Sequence, residues 1–212
     1  MSAISKAFKK LGLGIRKKGS SARLKDEMEM HLHFLQDPLA DEPHVLGAAQ
    51  ALQFLLEHQD QAYPVLLRLL KNHRASNPIA IIEALPKFGR PESIPVLEQI
   101  LRQGGELLCR AAAAALAQHP MDSAYKALVR GLRLVSAESV IASSDGLMAR
   151  RNPAACPELL ERISDANDNV RFHVIQAAAS LGCLSREKLT FITKNDPDVE
   201  IRNLASAFLN AG

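Results

Sequence analysis

The sequence predicts an all-α protein, a stack of helical hairpins. Three observations carry this: an Ala- and Leu-dominated apolar composition, similar segments returning about every 31 residues, and Pro and Gly punctuating those segments. The chain has 212 residues, of which 47% are hydrophobic but only 4% aromatic, with no Trp and two Tyr. Close-packed helices use such a mix, whereas strands favour β-branched and aromatic side chains. The length is enough for one elongated domain with a sizeable core.

The repeat is legible as small-residue segments that end in Leu: Ala48–Leu52, Ala80–Leu85, Ala111–Leu116, Ala142–Leu147, Ala177–Leu181 and Leu204–Leu209. Their terminal leucines, 52, 85, 116, 147, 181 and 209, are evenly enough spaced to mark one structural unit each. A second apolar segment lies between neighbours. In two of these, Val65, Leu66, Leu69 and Leu70, then Val96, Leu97, Ile100 and Leu101, fall at helical spacing. Small residues mark a first helix that a neighbour approaches closely, and the second segment completes a hairpin. One hairpin cannot bury both faces, but stacked hairpins share a core.

Taken in order, residues 1–21 form a basic arm and residues 22–212 one domain. A leading helix spans 22–36. Pairs follow at 43–58/62–73, 78–88/93–103, 106–118/122–134, 137–150/155–164 and 168–181/186–194, and 198–210 closes the stack. Pro64, Pro95 and Pro157 sit near predicted helix starts, where a missing N–H costs nothing. Gly89, Gly104, Gly105 and Gly182 fall near helix ends, where a left-handed residue closes the last turn. Ser143, Ser144, Asp145 and Gly146 interrupt the apolar pattern of the fourth pair.

Two segments sharpen the assignment. Asp168-Asn-Val-Arg171 leads into Ala177-Ala-Ala-Ser-Leu-Gly182, and Asn195-Asp-Pro-Asp-Val199 leads to Arg202, Ala205 and Leu209. An Asn or Asp cap, a Val, an Arg and a small-residue face resemble the first helix of a HEAT repeat, in particular the short repeats of phycobilin-lyase-like HEAT proteins. The resemblance covers about residues 42–212. It implies a right-handed α-solenoid of about five pairs plus a terminal helix, with second helices lining the concave face. It also implies that Arg171 and Arg202, and more roughly Arg110, link to a neighbouring acidic residue; Glu83 departs from this pattern. Phycobilin-lyase relatives act on tetrapyrrole-carrying proteins, commonly as paired subunits, which gives one alternative function.

Residue chemistry points away from a catalytic centre. No GxxxxGK[ST], GxGxxG or GxSxG occurs. His31 and His33 point to different sides of a helix, and His44, His58, His73, His119 and His173 are scattered. The HEAT-like deoxyhypusine hydroxylases hold iron with His-Glu pairs, and this chain has no His-Glu dipeptide. The DNA alkylation-repair glycosylases, another helical-repeat family, rely on Trp, which is absent here. The expectation is no catalytic, cofactor-binding or metal-ligating residue, no cofactor, and no enzymatic activity. Cys109, Cys156 and Cys183 form no CxxC pair and read as reduced, buried thiols in a cytosolic protein.

Charge locates two candidate docking elements. Residues 1–25 hold eight basic side chains and no acidic one, which leaves the remaining 187 residues with 18 basic against 23 acidic. In the arm, Ile4, Phe8, Leu11 and Ile15 share one helical face beside Lys9, Lys10, Arg16, Lys17 and Lys18, a pattern suited to an anionic membrane surface or an acidic groove. Docking of the arm is therefore expected at residues 1–18, with nucleic acid a weaker candidate because the body is acidic. On the second helices, Arg68, Arg102, Lys126, Arg130, Arg133 and Arg162 form a basic strip able to receive an acidic peptide or protein edge. The function expected first is an adaptor, scaffold or assembly chaperone that grips a protein partner, cytoplasmic and sometimes peripheral to a membrane.

Overall fold

The computed structural model describes residues 20–36, 51–75 and 77–211. The arm sites Ile4 to Lys18 and the first half of the 43–58 helix lie outside these residues. Every regular element among them is helical. In chain order they are α1 (Ser20–Gln36), α2 (helical over 51–57), α3 (Gln59–Lys71), α4 (Pro78–Phe88), α5 (Ser93–Gln103), α6 (Glu106–Gln118), α7 (Asp122–Gly131), α8 (Ala137–Arg150), α9 (Cys156–Arg162), α10 (Asp168–Ser180), α11 (Arg186–Asn195) and α12 (Val199–Ala211). A single 3-10 turn, Pro153–Ala155, precedes α9.

Local chemistry sets most of the boundaries. Side chains of Asn77, Ser136, Asn167 and Ser185 each accept a hydrogen bond from the backbone N–H three residues on, which satisfies a donor the first turn leaves unpaired. Gly89 and Gly182 take left-handed φ values of 64° and 74° and close α4 and α10. Gly104 differs from expectation: its backbone is extended, and glycine is needed there because a Cβ would stand 2.6 Å from the Ile100 carbonyl oxygen. Pro64 differs too. α3 begins at Gln59, so Pro64 lies inside the helix rather than at its start.

The helices form two layers. First helices α4, α6, α8, α10 and α12 each pack on the next, and each second helix packs on the first helix that follows it. Within the second layer α3 meets α5 and α5 meets α7. One apolar core runs from Leu32 to Ala205, and Leu85, Leu97, Leu101, Leu116, Leu128 and Leu147 are fully buried. Each such side chain contributes roughly 1.5–3 kcal/mol.

The irregular fourth pair is an unbroken helix. Ser143 and Ser144 are buried, and their hydroxyls donate to the carbonyls of Ser139 and Val140 one turn earlier, at 2.6 and 2.7 Å. The small polar residues let α8 lie close to α6 and α7, so Gly146 has the Ala113 carbonyl oxygen and Leu128 against it.

The cysteines require a correction. Cys156 and Cys183 are joined by a disulfide, with Cα atoms 5.2 Å apart. Stacking brings the start of α9 against the turn after α10, a proximity invisible in linear spacing. Cys109 alone is a free, buried thiol, donating to the carbonyls of Leu101 and Gly104.

Candidate partner-binding surface

The exposed side of α7 builds the site. Lys126, Val129 and Arg130 stand on α7 above the buried Tyr125, Arg133 follows in the turn after the helix, and Ala154 and Glu158 of the next pair face them across an open depression of about 400 Å³. Tyr125, Val129 and Ala154 supply apolar surface, and the cations stand around it. The Arg150 guanidinium lies over the Tyr125 ring, 6.0 Å from its centroid, while donating to the carbonyls of Leu116, Ala117 and His119. It thereby fixes the ring and caps the end of α6. Burial, then the nearby Glu158 and Asp122 carboxylates, push the Tyr125 phenol above its ordinary value.

Each cation here has an anionic partner. Arg130 forks onto Glu98 at 2.8 and 2.7 Å, joining α7 to α5. Arg102 approaches the same carboxylate at 3.8 Å. Lys126 meets Asp122 at 2.9 Å, and Arg133 reaches Glu158 at 3.9 Å. The hydrogen bonds from Arg130 hold the Glu98 carboxyl below its ordinary range, and burial opposes them. The cations themselves are more than half exposed. Their pairs are therefore weak and exchangeable, worth about 0–1 kcal/mol each.

Of the six strip residues named from sequence, Lys126, Arg130 and Arg133 line the depression, and Arg102 stands beside it through Glu98. Arg68 is exposed on α3, and Arg162 pairs with Asp165 at 2.7 Å near the end of α9, so neither lines it. Sequence reasoning missed the apolar floor of Tyr125 and Val129. It also missed the acidic partners. The Glu98/Arg102 and Asp122/Lys126 pairs were readable from their four-residue spacing, and Glu98/Arg130 from a separation close to one repeat.

A second cleft of about 370 Å³ opens on the first-helix layer. Glu106, Arg110, Glu138, Asp145, Asn167, Asn169 and His173 line it with Ala137 and Ile141. His173 Nδ1 lies 2.9 Å from Asp145 Oδ1, which orients the ring. Among the described residues no group of three or more side chains suited to a metal ion gathers there or elsewhere. Arg110 pairs within its own helix with Glu106 and does not take the inter-repeat role of Arg171.

The fold is a stack of helical repeats. The family described as HEAT repeats matches residues 34–118. Among solved structures, human deoxyhypusine hydroxylase in complex with glycerol is similar at 18% identity, with 92% of this chain and 91% of that chain covered and a TM-score of 0.42. That likeness is one of fold alone. No curated protein matches the sequence significantly. The expectation that the chain is not an enzyme is withdrawn, because a protein with a similar stack is a hydroxylase and the architecture is no sign of a non-catalytic role. No helix among the described residues is long and apolar enough to cross a membrane.

Proposed function

We propose that the chain is a protein-binding scaffold whose second-helix surface grips an acidic segment of a partner. The observation behind this reading is the α7 depression, where apolar surface is ringed by Lys126, Arg130 and Arg133 in exposed, exchangeable ion pairs. A partner carboxylate displaces Asp122, Glu98 or Glu158 with little net electrostatic cost, since one carboxylate replaces another. Apolar side chains of the partner then cover Val129 and Ala154, which adds the part of the affinity that salt does not screen.

The test is direct binding of a fluorescent peptide in which Glu and Leu alternate, measured by anisotropy. Binding that weakens roughly tenfold or more in Arg130→Glu/Arg133→Glu and persists without residues 1–19 supports the groove. Binding unaffected by those charge reversals removes it. Full-length protein that instead captures anionic vesicles, and loses them with residues 1–19, moves the docking role to the arm.

A further inference from the structure

One wall of the groove hangs on a covalent bond. Ala154 and Glu158, the α9 side of the depression, flank Cys156, whose sulfur is bonded to Cys183 in the turn after α10. α9 has only seven residues and follows a three-residue 3-10 turn. Helices this short have no stability of their own. Ala155, Leu159 and Ile163 are its buried apolar contributions, and it packs on α10 behind it. Toward α7 it offers the Glu158–Arg133 pair at 3.9 Å, a contact worth little. The opposite wall differs, because α5 and α7 pack side by side.

Both bonded cysteines are only half-buried, whereas Cys109 is sealed in the core. We propose that the Cys156–Cys183 disulfide is a redox-controlled clamp on the groove: intact, it pins the α9 wall to the turn after α10, and reduced, it lets α9 loosen and the groove lose its shape. The inference rests on the groove reading above and adds its regulation. The reductant is a dithiol. One of its thiolates attacks either sulfur to form a mixed disulfide and expels the other protein sulfur as a thiolate. Its second thiolate then releases the remaining protein sulfur, both cysteines take up protons, and the dithiol leaves as its own disulfide. Exchange with an oxidised dithiol runs the reaction backwards.

The experiment is hydrogen exchange read by mass spectrometry on full-length protein, with and without dithiothreitol, beside the variants Cys156→Ser and Cys183→Ser. Thiol alkylation after denaturation should count one free thiol in the untreated protein, Cys109, and three in the reduced form. Exchange over residues 153–163 should accelerate about tenfold or more on reduction, with α4 to α6 unchanged. Both variants should exchange like the reduced protein and ignore dithiothreitol. Three free thiols in the untreated protein, unchanged exchange at 153–163, or acceleration spread evenly over the chain would each overturn the clamp. The alternating Glu/Leu peptide separates the two ideas. If it binds neither form while residues 153–163 still respond, the groove reading fails and the local redox response stands. If it binds both forms equally, the clamp does not control the groove.

Discussion

Arg171 and Arg202 stand one repeat apart and share one pair of backbone bonds, while only Arg171 also holds a carboxylate. The Nη1 of Arg171 donates to the carbonyls of Asp165 and Ala166, and that of Arg202 to the carbonyls of Asp196 and Pro197. In each case the arginine reaches back to the carbonyls six and five residues before it. Asp196 joins the two, since its carboxylate accepts a bidentate bond from Arg171 at 3.2 and 3.1 Å while its carbonyl accepts from Arg202. One residue thus welds consecutive repeats. The fork matters, because only a guanidinium serves a carboxylate and two carbonyls at once.

The two arginines should differ in consequence. The Arg171–Asp196 pair is about nine-tenths buried. Arg171→Ala strands a carboxylate and two carbonyls, and should cost about 3–5 kcal/mol. Arg202→Ala removes bonds to carbonyls alone and should cost about 1–2 kcal/mol. Urea unfolding of both variants checks the order, and near-equal losses would count against the weld.

Gly146 is required by closeness rather than by φ. A Cβ there would meet Leu128 Cδ2 at 2.9 Å and the Ala113 carbonyl oxygen at 3.1 Å. Gly146→Ala gains about 1 kcal/mol of helix propensity but overpacks the α6–α8 contact by roughly 1–3 kcal/mol. The net expectation is a lower melting temperature, read by circular dichroism. A rise would mean that α8 shifts without cost.

His119 gives the fold an acid sensitivity. The ring is buried, and its Nδ1 accepts from the Met121 N–H at 3.3 Å, which places the hydrogen on Nε2, facing the Arg90 carbonyl and Ser93 Oγ. Burial, and secondarily the charge of Arg150, lower its pKa below 6.5, against the Arg90 carbonyl. The unfolded chain therefore binds this proton more readily than the folded one. The contribution of His119 is complete above about pH 6.5 and is lost as pH falls from there toward the folded value. The stability difference between the protein and His119→Gln, measured by urea unfolding from pH 8 to pH 5, should be constant at the upper end and shift toward the variant below 6.5. A difference independent of pH would contradict this.

Glu98 competes for the cation that the proposed partner needs. Glu98→Gln removes the charged half of its bond with Arg130 and frees the guanidinium. Affinity for the alternating Glu/Leu peptide should rise about fivefold, equivalent to about 1 kcal/mol, the worth of one exposed pair. Weaker binding would show that Glu98 shapes the groove rather than blocking it.

The sequence by itself determined the helix pairs. The periods of Leu85, Leu116 and Leu147, the caps at Asn77, Asn167 and Ser185, and the glycines at 89 and 182 are local signals, which act within a few residues of the backbone they shape. The link of Arg171 to a neighbouring acid was legible from the repeated motif, but Arg202, of which the same was expected, bonds only to backbone carbonyls. The strip of Lys126, Arg130 and Arg133 was legible as charge at helical spacing. Tertiary structure decided what no local rule reaches: that Cys156 meets Cys183, and that Ser143 and Gly146 are small because α6 and α7 lie against them. Each of these depends on how one hairpin settles on its neighbour. That placement is set by side-chain packing across the stack, which sequence periodicity records only as an average.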